Sequence, residues 1–192
     1  MINKQNFMKV KKAMDDYDSQ REKVIIQSRV VLKQSKQLIY AVHRDDPKEA
    51  SILAKKIKAE VKTLSTLANT TKLLSEGSLR VAIQEYVEAI GYFEYVKNNT
   101  IIPYTPEFIN VSNYLSGLCD LTGELTRRAV NKAAKGNFKE TEKAKEAVED
   151  IFSYFLQLDI RENDLRRKFD SVKYDLKKLE DLLCELSIKG KV

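Results

Sequence analysis

Apolar residues recur at alternating three- and four-residue steps along most of this chain, the spacing of one face of an α-helix. From about Phe7 to Arg44, Val10, Met14, Tyr17, Val24, Val31, Leu38 and Val42 keep that spacing, with Arg21, Ser28 and Ser35 at the remaining seam positions. The pattern predicts one long amphipathic helix with a partly polar seam. Asp45-Asp46-Pro47 ends it and opens a second, Asp as cap and Pro in the first turn, running from about Lys48 to Ser75. Glu76-Gly77-Ser78 predicts a turn, with Ser78 capping a third helix from Leu79 to about Lys97. Asn98 to Pro106 reads as a loop and Glu107 to Asn110 as a short turn. The next helix spans about Val111 to Lys135, with Gly136 at its exit. Another follows from about Lys139 to Gln157. In the last, Leu165, Phe169, Val172, Leu176, Leu179, Leu183 and Leu186 keep a strict 4-3 spacing until Gly190 closes it. Three consecutive heptads require a long partner helix, from the same chain or another subunit.

Composition agrees with this reading. Three prolines and six glycines in 192 residues, 43% of them apolar and 32% charged, favour long helices over short strands. The expectation is an all-α, single-domain bundle of about seven antiparallel helices over residues 1–192, with apolar seams broad enough to drive oligomerisation. The formal charge of +6 suits a protein that meets a polyanion, and equally an ordinary soluble helical protein. Cys119 and Cys184 are too few and too far apart for a disulfide framework, and read as small buried hydrophobes. No stretch approaches the roughly 18 apolar residues of a membrane span, and the amino terminus lacks the apolar run of a signal peptide. The expected location is the cytoplasm, with no membrane partner.

Charge is most informative where it is missing. Val81 to Val96 and Phe108 to Thr126 contain neither Lys nor Arg, yet carry Glu85 and Glu88 in one stretch and Asp120 and Glu124 in the other. Residues three or four apart share a helix face, so two such pairs on neighbouring helices would bring four carboxylates together. Ionised acids in an apolar wall cost several kcal/mol each unless compensated. Protonation, a basic residue from another helix, or a divalent cation would each relieve that cost. An all-oxygen set suits Mg²⁺ or Mn²⁺, ions able to activate water in phosphodiester hydrolysis. The plainer reading is a solvated face, as Glu149 with Asp150 or Glu180 with Asp181 must be. Gly117 and Gly123, inside the predicted helix, suggest that something approaches its backbone, an ion site or only another helix.

The same residues carry a family resemblance. Gln84-Glu-Tyr-Val-Glu-Ala89 and Tyr114-Leu-Ser-Gly-Leu-Cys-Asp-Leu-Thr-Gly-Glu-Leu125 resemble the two acidic motifs of the translin-associated factor X (Trax) branch of the translin family. The tail, Asn163 to Asp181 and then Leu186-Ser-Ile-Lys-Gly190, is similar to translin itself, and the likeness weakens before Glu76. The resemblance implies a seven-helix fold, a hollow octameric assembly, and binding of single-stranded RNA or DNA. In the Trax branch it implies an endoribonuclease whose acids hold Mg²⁺; by motif position these are Glu85, Glu88, Asp120 and Glu124. A compact chain combining both branches resembles an archaeal-type member acting as a homo-oligomer.

The leading expectation is therefore a Mg²⁺-dependent endoribonuclease for single-stranded RNA. A non-catalytic single-strand-binding oligomer and a purely structural assembly are the competitors. Candidate RNA-holding residues are Arg21, Arg29, Lys55, Lys56, Lys62, Arg80, Arg127 and Arg128, with Arg80 and Arg127 nearest the acids in sequence. Tyr86 and Tyr92 are candidate stacking platforms for bases. His43, the lone histidine, reads as a structural or surface group.

Overall fold

The structure, a computed structural model, describes residues 3–191. Among them are seven helices and no strand: α1 (Lys4–His43), α2 (Pro47–Leu67), α3 (Thr71–Leu74), α4 (Gly77–Asn98), α5 (Val111–Ala133), α6 (Lys139–Phe155) and α7 (Asn163–Ile188). The expected punctuation operates in several places. The Asp46 side chain accepts from the Glu49 amide at 2.9 Å and Pro47 occupies the first turn of α2. Gly136 and Gly190 take φ of +83° and +62° after α5 and α7, a left-handed conformation that costs glycine little.

Two local expectations are corrected. The second helix stops at Leu67 instead of Ser75, and Thr70, accepting from the Leu73 amide, starts a one-turn helix, α3. The short turn expected at Glu107 to Asn110 falls at Pro106 to Phe108. Ser78 lies inside α4, whose cap is Glu76. Glu76 makes no capping bond of its own because its carboxylate accepts from Arg21 (2.8 Å) and Tyr17 (3.2 Å), tying α1 to the start of α4.

Packing follows the apolar stripes. α1 lies against α2 and α4, α4 against α5, and α5 against α6 and α7, so α4 and α5 form the middle of the molecule. One apolar core runs through the bundle, with Tyr92, Leu38, Ile57, Leu121 and Leu179 fully buried. The polar seam of α1 is buried as expected at Ser28 and Ser35, but its first turns are not: Phe7, Met8, Val10 and Met14 are all exposed. In α7, Leu165, Val172, Leu179 and Leu186 are buried while Phe169, Leu176 and Leu183 are half-buried. Phe169 stacks on Phe152 and Phe155 of α6. Cys119 is buried, whereas Cys184 is exposed, contrary to expectation, because it falls off the 4-3 stripe. No helix among the described residues is long and apolar enough to cross a membrane.

Candidate carboxylate metal centre

The two acid pairs meet because α4 and α5 approach closely at Gly117. A Cβ there would sit 2.6 Å from the Val87 Cβ and 2.7 Å from the Gln84 carbonyl oxygen, closer than real contacts allow. One turn further along each helix stand Glu88 and Asp120. Gly117→Ala is therefore expected to force the helices apart at a cost of about 2 kcal/mol, lowering Tm by roughly 4–8 °C. Gly123 behaves differently: a Cβ there meets only Asp175, at 3.9 Å. Gly123→Ala should raise stability by up to about 1 kcal/mol, and thermal unfolding of the two variants tests both signs.

The four acids sense one another. Burial, then the charges of Asp120, Glu85 and Glu124, push the Glu88 carboxyl up to about 8, with Lys168 only partly opposing them. Burial also raises Glu85, against the opposing charge of Lys36, with Asp120 adding to the rise. Side chains from other helices engage three of the acids, and for Glu85 and Asp120 these are basic residues, one of the three expected routes. Lys36 of α1 stands 3.8 Å from Glu85, and Lys168 of α7 donates to Asp120 and, at 3.1 Å, to Gln84. Glu124 receives the His43 Nε2 and has Arg127 at 3.7 Å. His43 Nδ1 lies 3.1 Å from the Tyr92 hydroxyl, so the imidazole bridges the core and the acid. Glu88 alone among the four has neither an ion pair nor a hydrogen bond.

With three carboxylates turned toward these side chains, no group of three His, Cys, Asp or Glu residues among those described is gathered closely enough to hold a metal as it stands. The donor chemistry nevertheless fits a hard divalent ion: four carboxylates from two rigid helices, one of them half-buried and uncompensated. Sequence reasoning missed Lys36 and Lys168, although Lys168 lies within the translin-like tail, and no spacing rule connects either to α4 or α5. His43, expected as a structural or surface group, bridges Tyr92 and Glu124.

The basic candidates separate by environment. Arg29, Lys55, Lys56 and Lys62 are exposed. Arg21 is half-engaged by Glu76, Arg80 lies 3.8 Å from Asp164, and Arg127 is exposed beside Glu124. Arg128 is not available to a ligand. Its guanidinium is about 10% exposed, donates to Glu140 at 2.7 Å and lies 3.4 Å from Asp45, because residue 128 falls on the buried face of α5 with Leu121 and Leu125. Tyr86 and Tyr92 are likewise buried in the core and present no face to a base.

Comparison with known proteins identifies the family and the fold. The translin family model matches residues 19–190. An uncharacterized protein of Methanocaldococcus jannaschii is 31% identical over 157 residues, 80% of this chain and 70% of its own length. A translin-associated protein X homolog of Schizosaccharomyces pombe is 29% identical over 68% of this chain and 63% of that protein. Translin of Gallus gallus is 34% identical over 82 residues, so the match takes in 43% of this chain and 36% of that protein. The crystal structure of apo-NeC3PO superposes with a TM-score of 0.84 at 27% identity, covering 94% of this chain and 96% of that one. AfC3PO in a duplex RNA complex gives 0.81 at 21% identity, covering 96% and 97%. Helix order and a family match over nearly the whole described length lead to one conclusion: the chain belongs to the translin family.

Proposed function

We propose that this protein is a Mg²⁺- or Mn²⁺-dependent endoribonuclease acting on single-stranded RNA, within a cytoplasmic homo-octamer. The observation that carries the reading is Glu88. A half-buried acid without a cation, facing three more acids, is costly unless the site gains positive charge during function. The translin-family relationship and the RNA complex of a protein with the same fold support RNA as the substrate class. A bound divalent ion would lower the pKa of water and stabilise charge at phosphate oxygens. Glu85, Glu88, Asp120 and Glu124 would supply its oxygen donors. His43, braced by Tyr92, holds the Glu124 carboxylate in place. Lys36 and Lys168, once released from Glu85 and Asp120, would turn to the RNA phosphates, joined by Arg80, which lines one pocket with Lys168, and by Arg127, 3.7 Å from Glu124.

The test is cleavage of end-labelled single-stranded RNA. Mg²⁺ should support cutting and EDTA should stop it, while Glu88→Gln and Asp120→Asn slow it by about 100-fold or more without loss of binding. Cleavage that survives EDTA or both substitutions contradicts the proposal. A second reading, a non-catalytic single-stranded RNA- or DNA-binding oligomer, draws on Lys168 and His43 already seated on Asp120 and Glu124. Tight binding with no cleavage by the unmodified protein would favour it. Assembly has its own check. Leu176 and Leu183 form the half-buried row of α7, so Leu176→Asp or Leu183→Asp should shift the protein to smaller species in size-exclusion chromatography. An unchanged elution volume removes that row from the interface.

A further inference from the structure

We propose that one face of α1, bearing Arg29, Lys33, Lys36, Tyr40 and Arg44, is the track that leads single-stranded RNA to the carboxylate cluster. This inference rests on the RNA substrate proposed above and identifies where the strand lies. Steps of four, three, four and four residues place these side chains on one helix face, over about 22 Å of axis. All five are exposed, and with Leu32, Gln37 and Glu49 they line an open groove of about 590 Å³. The opposite face, Val31, Ser35, Leu38 and Val42, is buried in the core.

Charge segregation distinguishes this face from ordinary solvated helix surface. Such surfaces normally interleave both signs at helical spacing. Here the first part of α1 holds Asp15, Asp16, Asp18 and Glu22, and no acid then appears until Asp45. Among the described residues, Arg29 and Lys33 have no ion-pair partner. Arg44 shares its charge with Glu49, and Lys36 reaches Glu85, which joins the middle of the groove to the acid cluster. A phosphate backbone supplies the missing negative charge. Tyr40 adds a feature that an acidic peptide would not need: its ring is 58% exposed, with the Arg44 guanidinium 5.5 Å from its centroid. A flat ring beside a row of cations is how single strands are held without sequence preference, bases stacked and phosphates neutralised.

The test is fluorescence anisotropy with a labelled single-stranded RNA of about a dozen nucleotides, in EDTA, across a KCl series. Arg29→Gln with Lys33→Gln should flatten the slope of log K against log salt by about 1.4, since each lost phosphate contact removes about 0.7 for a single strand. Tyr40→Ala should weaken binding about tenfold at an unchanged slope, with Tyr40→Phe close to the parent. Lys139→Gln with Lys143→Gln, exposed on α6, should leave the slope alone. An unchanged slope in the α1 double variant, or loss of slope only in the α6 one, overturns the track. So does polyglutamate displacing the RNA at equal charge concentration. Because binding is measured without metal, these outcomes are independent of cleavage: a track that holds while the parent fails to cut RNA removes the nuclease reading alone.

Discussion

Glu88→Gln is expected to abolish Mg²⁺-dependent RNA cleavage and, in the same variant, to make the metal-free protein more stable at alkaline pH. The two effects have one cause. Unfolded Glu88 loses its proton near 4.5, whereas in the folded protein the carboxyl keeps it up to about 8. Between those values folding takes up a proton, so stability declines as pH rises, by on the order of 1.4 kcal/mol per pH unit for a group fully in that window. The stabilising contribution is complete below about pH 4.5 and gone above about 8. Glutamine cannot ionise and removes the decline. Thermal unfolding should then show Tm several degrees above the parent at pH 9, with no gain at pH 4.5. Gain of stability with loss of activity marks a residue held in a costly state for function. A variant less stable at pH 9 would mean that Glu88 has a compensating partner and is an ordinary structural acid. The same pKa predicts proton release when a divalent ion binds near neutrality. Apparent affinity should rise by up to about tenfold per pH unit and level off above about 8.

Arg128→Ala is expected to cost about 3 kcal/mol of stability and to lower Tm by roughly 6–12 °C, leaving the salt dependence of RNA binding unchanged. Burial disfavours the charge of Arg128, but hydrogen bonding to Glu140 prevails and raises its pKa. Burial likewise works against Asp45, yet Lys132 and Arg128 hold its carboxyl below the usual range. Removing the guanidinium strands Glu140, which is largely buried, whereas Asp45 is more exposed and keeps Lys132. Arg128→Lys should fall between, because an ammonium cannot reach both acids as a planar fork does. A loss of RNA affinity at full stability would return Arg128 to the binding surface.

Several local signals in the sequence were read correctly, the Ser78 cap and the burial of Cys184 excepted, whereas non-local ones were not. The Asp46-Pro47 start, the Gly136 exit and the heptad seam of α7 depend on neighbours within one or two turns. So does the absence of Lys and Arg around Glu85, Glu88, Asp120 and Glu124, which marked the two central helices. The end of α2 was missed because Ala68-Asn69-Thr70 contains neither Gly nor Pro, and a side-chain cap from Thr70 is the only stop signal. Arg127 and Arg128 show what a finer reading would have given. Arg128 is seven residues after Leu121 and three after Leu125, on the apolar face, while Arg127 is rotated about 100° away toward solvent. Lys36 and Lys168 could not be placed at all, and His43 only as a structural or surface group. Their role depends on α1 and α7 lying beside α4 and α5, and packing of that kind leaves no mark in the local pattern.

We propose that the four acids on adjacent turns of α4 and α5 close on a divalent cation when one binds. Crystals soaked in Mn²⁺, with data collected at a wavelength where manganese scatters anomalously, test it most directly. The account predicts an anomalous peak bounded by carboxylate oxygens of Glu88 and Asp120, with the Lys168 ammonium displaced from Asp120. Crystals of the same quality with no peak there, and with Lys168 and His43 still seated on Asp120 and Glu124 at saturating Mn²⁺, would contradict it.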